Sequence, residues 1–435
     1  MLNPDIYNNR RQRLIKLMGK GVAILKGAPE QIRTNDTEYP YRQDSDFYYL
    51  TGYTEPGAAC IIDPNNQEHP FTLFVLPQDP KKEVWTGWRL SFAETVEKFG
   101  ASQAQDIAEF EAAALTAMKT SSRVYTNLNH DKAHQYKMLD QVGQIRKEVQ
   151  RAGGGPEGLE SIGAITHGMR LIKDKVEIEL MQKAADISAS AHCKAMQTCS
   201  PGMYEYQLQA VLESHFVHEG GAGPAYTSIV GAGDNATVLH YVKNRDKIVD
   251  GDLILIDAAA EYEMYASDIT RTFPANGKFS EAQRAIYEVV LKAQKAVIAA
   301  AKPGVSFQDL HDLDLRLLVE GMLEIGLLKG SADEVIKNET YQDYFMHKTG
   351  HWLGLDVHDM GNYMADGDSI TLKPGMVFTV EPGIYVNSKS KAPARFRGIG
   401  IRIEDDIFIT KNGNKNLTAA VPKEISEIES LMKSK

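Results

Sequence analysis

The sequence predicts an α+β protein of two domains, and three observations carry that expectation. At 435 residues the chain is longer than one core comfortably holds. From Lys173 onward, pairs of amphipathic helix patterns flank two strand-rich blocks, which implies an α+β domain built of two similar halves. Several apolar strand-like runs in those blocks contain or end in an acidic residue, a costly arrangement unless something cationic sits among them.

Taken in order, residues 1 to about 170 read as a smaller α/β domain. An amphipathic helix with Leu14, Leu17 and Met18 carries Arg10, Arg11, Arg13 and Lys16, expected to form a solvated basic face. Gly21-Val-Ala-Ile-Leu25 and Phe71-Thr-Leu-Phe-Val-Leu76 read as buried strands. Ser91–Phe99 and Ala101–Met118 read as helices, and Arg151-Ala-Gly-Gly-Gly-Pro156 as a turn or linker. The second domain, 171–435, opens with Asp174 capping a long helix and Glu177 completing a capping box. Ile178, Met181, Ala185 and Ile187 approximate one face of that helix. A further helix follows Pro201-Gly202 through Tyr206, Leu208 and Leu212. Strands occupy about 226–275, two helices 280–328, and strands return over 345–410.

Composition narrows the function. Lys and Arg number 48 against 58 Asp and Glu, a net charge of −10, which argues against nucleic acid or an anionic membrane as partner. The N-terminus has no apolar signal-type segment, and no run of 18 apolar residues occurs. Cys60, Cys193 and Cys199 are odd in number, dispersed and without a CxxC pair, so reduced thiols in a cytoplasmic protein are expected.

The chemistry concentrates in five stretches. Gly251-Asp-Leu-Ile-Leu-Ile-Asp257 is a buried strand ending in an acid, with Leu253, Leu255 and Asp257 on one face. Tyr265-Ala-Ser-Asp-Ile-Thr-Arg-Thr-Phe273 is a second strand, and a turn around Glu261–Met264 would bring Asp268 beside Asp257. In His347-Lys-Thr-Gly-His351-Trp-Leu-Gly-Leu-Asp-Val-His358, Gly350 and Gly354 argue against a helix, and no HExxH glutamate is present. Val377-Phe-Thr-Val-Glu381-Pro-Gly383 and Ile399-Gly-Ile-Arg-Ile-Glu404 add two more acids, the second with Arg402 expected on the same face as Glu404. A lone acid after a strand has an ordinary structural reading, and Arg402 with Glu404 reads equally as an ion pair. Five such residues in order point instead to divalent metal. Four carboxylates balance two divalent ions, and one nitrogen amid oxygen ligands favours manganese, with cobalt, iron or zinc left open.

These motifs resemble those of the pita-bread metallopeptidases, a family that includes methionine aminopeptidase, prolidase and aminopeptidase P. The stretches His347–Asp359 and Gly398–Asp406 carry the likeness in the C-terminal part. Glu38-Tyr-Pro-Tyr-Arg-Gln-Asp-Ser-Asp-Phe-Tyr-Tyr-Leu-Thr-Gly-Tyr53 looks like bacterial aminopeptidase P, so the resemblance spans nearly the whole chain. It implies a C-terminal pita-bread domain behind a smaller α/β domain, with Asp257, Asp268, His351, Glu381 and Glu404 as the ligands of two metal ions.

The implied activity is hydrolysis of the bond between an N-terminal residue and a following proline. Two metals would lower the pKa of a bridging water to give the nucleophilic hydroxide. Glu381 would shuttle the proton, and His358 would stabilise the tetrahedral oxyanion. By the resemblance, His240 belongs to the substrate site, His347 and Tyr385 line it, and Asp36 and Trp85 reach it from the N-terminal domain. Arg402 is expected to hold Glu404 or a substrate carbonyl. A prolyl amide has no N–H, so an apolar slot walled by histidine and aromatic rings would accept the pyrrolidine ring. The partners expected are peptides with proline second and further copies of the chain, as a dimer or tetramer. The competing readings are prolidase, restricted to Xaa-Pro dipeptides, and a non-catalytic binding module of the same fold.

Overall fold

The computed structural model describes residues 3–128, 131–149 and 155–434, so most of the turn expected over 151–156 lies outside the described residues. The chain separates into two compact units, Met1–Gly168 and Met169–Lys435.

The N-terminal unit is built on a six-stranded sheet. Its centre is an antiparallel set in which Ala59–Ile62 lies between Val22–Lys26 and Phe71–Val75, with Ala23 opposite Ile62 and Cys60 opposite Leu73. Arg123–Thr126 and Gly158–Ser161 extend one side in parallel, and Gln103–Asp106 extends the other. The two strands read from sequence are thus present, and all their residues but Lys26 are buried.

Two sequence expectations fail in this unit. The helix expected over Ala101–Met118 is a helix only from Phe110 to Lys119. Gln103–Asp106 instead pairs with the edge of Phe71–Val75, Thr72 opposite Gln103, and satisfies a row of backbone groups that a helix there would leave unpaired. Asp106 then ends the strand by accepting from the Ala108 amide at 2.9 Å. The basic face of the first helix, Pro4–Met18, is only partly solvated, because Arg10 and Arg11 are buried while Arg13 and Lys16 are exposed. Arg11 donates to the carbonyls of Leu50, at 2.9 Å, and Gly100, at 3.0 Å. A guanidinium can satisfy two such helix-end carbonyls while its plane stacks on Phe71, 3.9 Å from the ring centroid.

The C-terminal unit repeats one arrangement twice, as expected from the alternation of helix and strand patterns. In the first half the helices Lys175–Thr198 and Glu205–His218 pack together, and Ile229–Ala232, Leu253–Asp257 and Thr270–Pro274 form an antiparallel sheet. In the second half, Glu281–Ala300 packs on Phe307–Glu324, followed by the antiparallel set Val377–Val380, Asp405–Ile409 and Asn414–Asn416. The capping box at Asp174 and Glu177 forms as its sequence implies. Met181, Ala185, Ile187, Leu208, Leu212, Ile254, Ile256, Ile286, Val290 and Leu318 are among the buried side chains that bind helices to sheet.

The hairpin that carries the first two acids turns at Glu263 and Met264, both left-handed with φ of 47° and 72°. Tyr262 faces Tyr265 across this two-residue turn, whose twist matches that of the flanking strands. Strand Thr270–Pro274 then contacts the second half: Glu404 N donates to the Thr270 carbonyl at 3.1 Å, and Arg271 Nη1 donates to the Glu404 carbonyl at 2.6 Å. Carboxylates from both halves therefore converge at this seam.

Candidate active site

Each functional side chain arrives on an element whose local sequence explains its position. Asp257 closes the strand Leu253–Asp257, opposite Ile229 on one neighbour and Thr270 on the other. Asp268 stands just before Thr270–Pro274, where the backbone leaves the hairpin. His351 lies on an extended segment that pairs with the strand bearing Glu381: Thr379 N donates to the His351 carbonyl and Glu381 N to the Thr349 carbonyl, at 2.9 and 2.8 Å. Glycine is required at position 350, because a Cβ there would overlap the Thr379 carbonyl oxygen. Glu404 sits in the break between strands Ile399–Arg402 and Asp405–Ile409. As the glycines imply, His347 and His351 are not on a helix.

These residues meet. Asp268, His351 and Glu404 offer ligand atoms within 4.8 Å of one another. His351 Nε2 is 3.3 Å from Asp268 Oδ2 and 3.5 Å from Glu381 Oε1. Asp257 joins through Tyr226, whose hydroxyl is 2.7 Å from Asp257 Oδ1 and 2.6 Å from Asp268 Oδ1. One hydroxyl proton cannot satisfy two carboxylates, and Thr270 Oγ1 supplies only one more donor, to Glu404 Oε2 at 2.6 Å.

The electrostatics have the same sense. Burial raises the carboxyl pKa values of Asp257 and Glu404, and pushes Glu381 up to about 7. Neighbouring carboxylates reinforce each shift, and Arg402 opposes each one. His351 goes the other way. Burial lowers its pKa, but Asp268 and Glu381 override that and lift it to about 9. Its Nδ1 is 3.0 Å from the Trp352 carbonyl, which has no proton to give, so Nδ1 carries the hydrogen and Nε2 turns to the carboxylates. An imidazole nitrogen facing two acids among four fits a divalent cation, and a second proton takes that place when no cation is bound.

A cavity of about 750 Å³ opens on this cluster. All five expected ligands line it, as do His240, His347, His358 and Arg402. His358 packs edge-on to His351 with centroids 4.2 Å apart, and burial followed by the neighbouring His351 lowers its pKa and favours the neutral ring. His240 is exposed on the loop after the short turn Gly233–Thr237, rather than satisfied within a core. Leu239, Val242, Phe307, Tyr363 and Met364 supply apolar wall.

Two expected roles change in detail. Arg402 does not hold the Glu404 carboxylate. Its guanidinium donates to Asp257 Oδ2 at 2.5 Å, Thr270 Oγ1 at 3.0 Å and the Tyr385 hydroxyl at 3.0 Å. The strand ends at Arg402, so the alternation that would have aligned it with Glu404 stops there. Tyr385 is buried one layer behind the cavity wall, bonded to His347 Nε2 at 2.8 Å. Since His347 Nδ1 meets the Lys348 carbonyl, His347 Nε2 accepts from Tyr385, which accepts from Arg402. Asp36 and Trp85 lie on the surface of the N-terminal unit, Trp85 with 87% of its surface exposed. Tyr226 and Thr270 were not anticipated. Neither has a distinctive spacing, although a hydroxyl two residues after Asp268 was a weak signal.

The model of metallopeptidase family M24 matches residues 179–411, and that of the aminopeptidase P N-terminal domain matches 7–125. The chain belongs to metallopeptidase family M24. Its match to the family covers both halves that build the cavity, and the M24 domain has the pita-bread fold expected from the sequence. The chain is 41% identical to an Xaa-Pro aminopeptidase of Escherichia coli, with 98% of this chain and 97% of that one aligned. Among solved structures it is similar to the aminopeptidase PepP of Pseudomonas aeruginosa, with a TM-score of 0.96, 43% identity, and 100% and 98% of the two chains covered. It is also similar to E. coli aminopeptidase P in complex with substrate, with a TM-score of 0.95, 40% identity, and 100% and 99% covered. As an M24 metallopeptidase the protein is a hydrolase dependent on divalent metal. No helix among the described residues is long and apolar enough to cross a membrane.

Proposed function

We propose that this protein is an Xaa-Pro aminopeptidase, removing the first residue from peptides whose second residue is proline. The observation that carries the metal chemistry is His351 Nε2 turned toward Asp268 and Glu381 by its Nδ1 bond to Trp352. Full-length similarity to Xaa-Pro aminopeptidases supports the substrate class.

Asp257, Asp268, His351, Glu381 and Glu404 would hold two divalent ions, manganese by preference for one nitrogen among oxygens. When bound, such ions supply a water acidic enough to ionise near neutral pH and polarise the scissile carbonyl. The protein side chains do the rest. Glu381 takes the proton of the attacking water and returns it to the prolyl nitrogen as the C–N bond breaks, since that nitrogen leaves as a secondary amine. His358 donates a hydrogen bond to the oxygen that becomes negative in the tetrahedral intermediate. His240 bonds the substrate from the opposite loop. Arg402 fixes Asp257 and, through Tyr385, the ring of His347. The apolar wall and His347 accept a pyrrolidine that offers no N–H. Asp36 and Trp85 are proposed as substrate contacts on the resemblance and on their exposure. The same resemblance supports a dimer or tetramer, and the dispersed cysteines, with no CxxC pair, support a cytoplasmic location.

The test compares Xaa-Pro-Yaa tripeptides, Xaa-Pro dipeptides, Xaa-Ala-Yaa peptides and N-acetylated Xaa-Pro-Yaa, with manganese, cobalt or zinc added to chelated protein. Turnover confined to free-amine Xaa-Pro-Yaa and longer peptides supports the proposal. Equal cleavage of Xaa-Ala-Yaa refutes it, and restriction to dipeptides makes the enzyme a prolidase.

A further inference from the structure

One side chain of the cavity wall has a hydrogen-bonding direction fixed from behind. His311, on the helix Phe307–Glu324, lines the cavity beside Phe307 and Gln308. Its Nδ1 is 2.9 Å from Thr349 Oγ1, and Thr349 Oγ1 donates to Asp314 Oδ2 at 2.7 Å. Asp314 lies one turn along the same helix and is fully buried, and its other oxygen has no hydrogen-bond partner among the described residues.

The hydroxyl of Thr349 has one hydrogen. With Asp314 ionised, that hydrogen goes to the carboxylate, so Thr349 must accept from His311, and Nδ1 is the protonated ring nitrogen. Nε2 is left with its lone pair and no partner within the chain among the described residues. Burial holds the His311 pKa down at about 4, with the Lys348 charge adding to the effect. The ring therefore stays neutral, and Nε2 remains an acceptor wherever Asp314 is ionised.

His311 is also placed along the wall from the reacting centre. Its ring is 6.3 Å from that of Phe345, and Phe345 is 4.9 Å from His347. Granted the reading that His347 borders the proline ring, the next stretch of wall meets the peptide group after the proline. An Xaa-Pro-Yaa substrate lacks an N–H at proline, so the Yaa N–H is the first backbone donor beyond the scissile bond. An Xaa-Pro dipeptide has no such donor.

We propose that His311 is a specificity-determining residue whose Nε2 accepts the N–H of the residue after proline, favouring peptides of three or more residues over Xaa-Pro dipeptides. The relay Asp314–Thr349 acts by positioning: it selects the tautomer without touching substrate. The proposal rests on the Xaa-Pro reading above, and its test keeps the two separate.

The experiment compares an Xaa-Pro-Yaa tripeptide with its depsipeptide analogue, in which an ester oxygen replaces the Yaa N–H, on the metal-loaded enzyme at about pH 8.5. That pH keeps Asp314 ionised, since burial pushes its carboxyl up to about 7. The wild-type enzyme should prefer the amide in kcat/KM by about three- to tenfold, the range one hydrogen bond spans. His311→Phe should cut amide turnover to the level of the ester and bring the ratio to about one. His311→Gln, which keeps an acceptor, should restore part of the preference. A ratio of rates is independent of the folded fraction, so poor folding of a variant does not mask the result. A wild-type ratio of one, or a preference that survives in His311→Phe, overturns the proposal. Either outcome leaves the Xaa-Pro reading standing, because both substrates are cleaved at the same prolyl bond.

Discussion

Arg402 Nη2 lies 2.5 Å from Asp257 Oδ2, so the one guanidinium lining the cavity among the described residues hydrogen-bonds a single acid. The same group reaches Thr270 Oγ1 and the Tyr385 hydroxyl. It thereby ties Asp257 to the bond holding His347, and links strand Ile399–Arg402 to the first half of the domain.

Lysine should not replace it. A compact ammonium cannot span Asp257, Thr270 and Tyr385 together. We predict that Arg402→Lys lowers kcat/KM on Xaa-Pro-Yaa by about 10²-fold or more, while Arg402→Ala also destabilises the metal-free protein by about 3–5 kcal/mol, because Asp257 remains buried without its partner. Steady-state kinetics and chemical denaturation of the chelated protein measure the two effects. A Lys variant with normal kinetics would remove the positioning role.

Metal removal should abolish turnover and make stability fall as pH rises. Glu381, pushed up to about 7, and Glu404, also raised, hold extra protons in the folded state above about pH 4.3, the ordinary glutamate value. His351, lifted to about 9, does so above about 6.5. Where the folded state binds more protons, raising pH destabilises it. The metal-free protein therefore loses stability from about pH 5 to 9, and the Tm gap between loaded and metal-free protein should widen over that range. Thermal melting at several pH values with and without manganese provides the check; a constant gap would contradict the assignment of these groups as ligands.

His351 and His358 should separate cleanly despite their edge-to-face contact. His351→Ala should lose metal and activity together. His358→Ala should keep near-normal metal and lose about 10²–10³ in kcat, the usual effect of one oxyanion donor. Metal analysis and single-turnover rates distinguish them. Loss of metal from the His358 variant would overturn its role as a substrate-contacting donor.

Acid sensitivity should trace in part to Asp405, which is buried with Arg271 at 2.7 Å and with Lys423. Burial alone would raise its pKa, but the two cations hold it well below the usual carboxylate range. Its stabilising effect is present above about pH 4 and is lost as pH falls toward the folded value. Asp405→Asn should cost about 3–5 kcal/mol at pH 7 by leaving Arg271 buried without its counter-ion. The deficit should shrink in acid. Urea denaturation at pH 7 and pH 3 reads both.

Much of this protein was legible in its sequence. Apolar runs ending in Asp257 and Glu381, the turn around Glu261–Met264 and the capping box at Asp174 depend on neighbours along the chain, where pattern and propensity act directly. The four acidic residues among the proposed ligands were legible for the same reason: acids in apolar strand-like runs are conspicuous. Tertiary structure alone decided what those residues touch. Arg10 and Arg11 became buried because helix-end carbonyls far along the chain needed donors. Gln103–Asp106 became a strand because the edge beside it was open. Arg402 chose Asp257 over Glu404 where its strand ended, and Tyr226 and the Asp314–Thr349–His311 relay entered through contacts across 31 or more residues. Periodicity shows which face a side chain occupies; its hydrogen-bond partner depends on which distant element packs against that face.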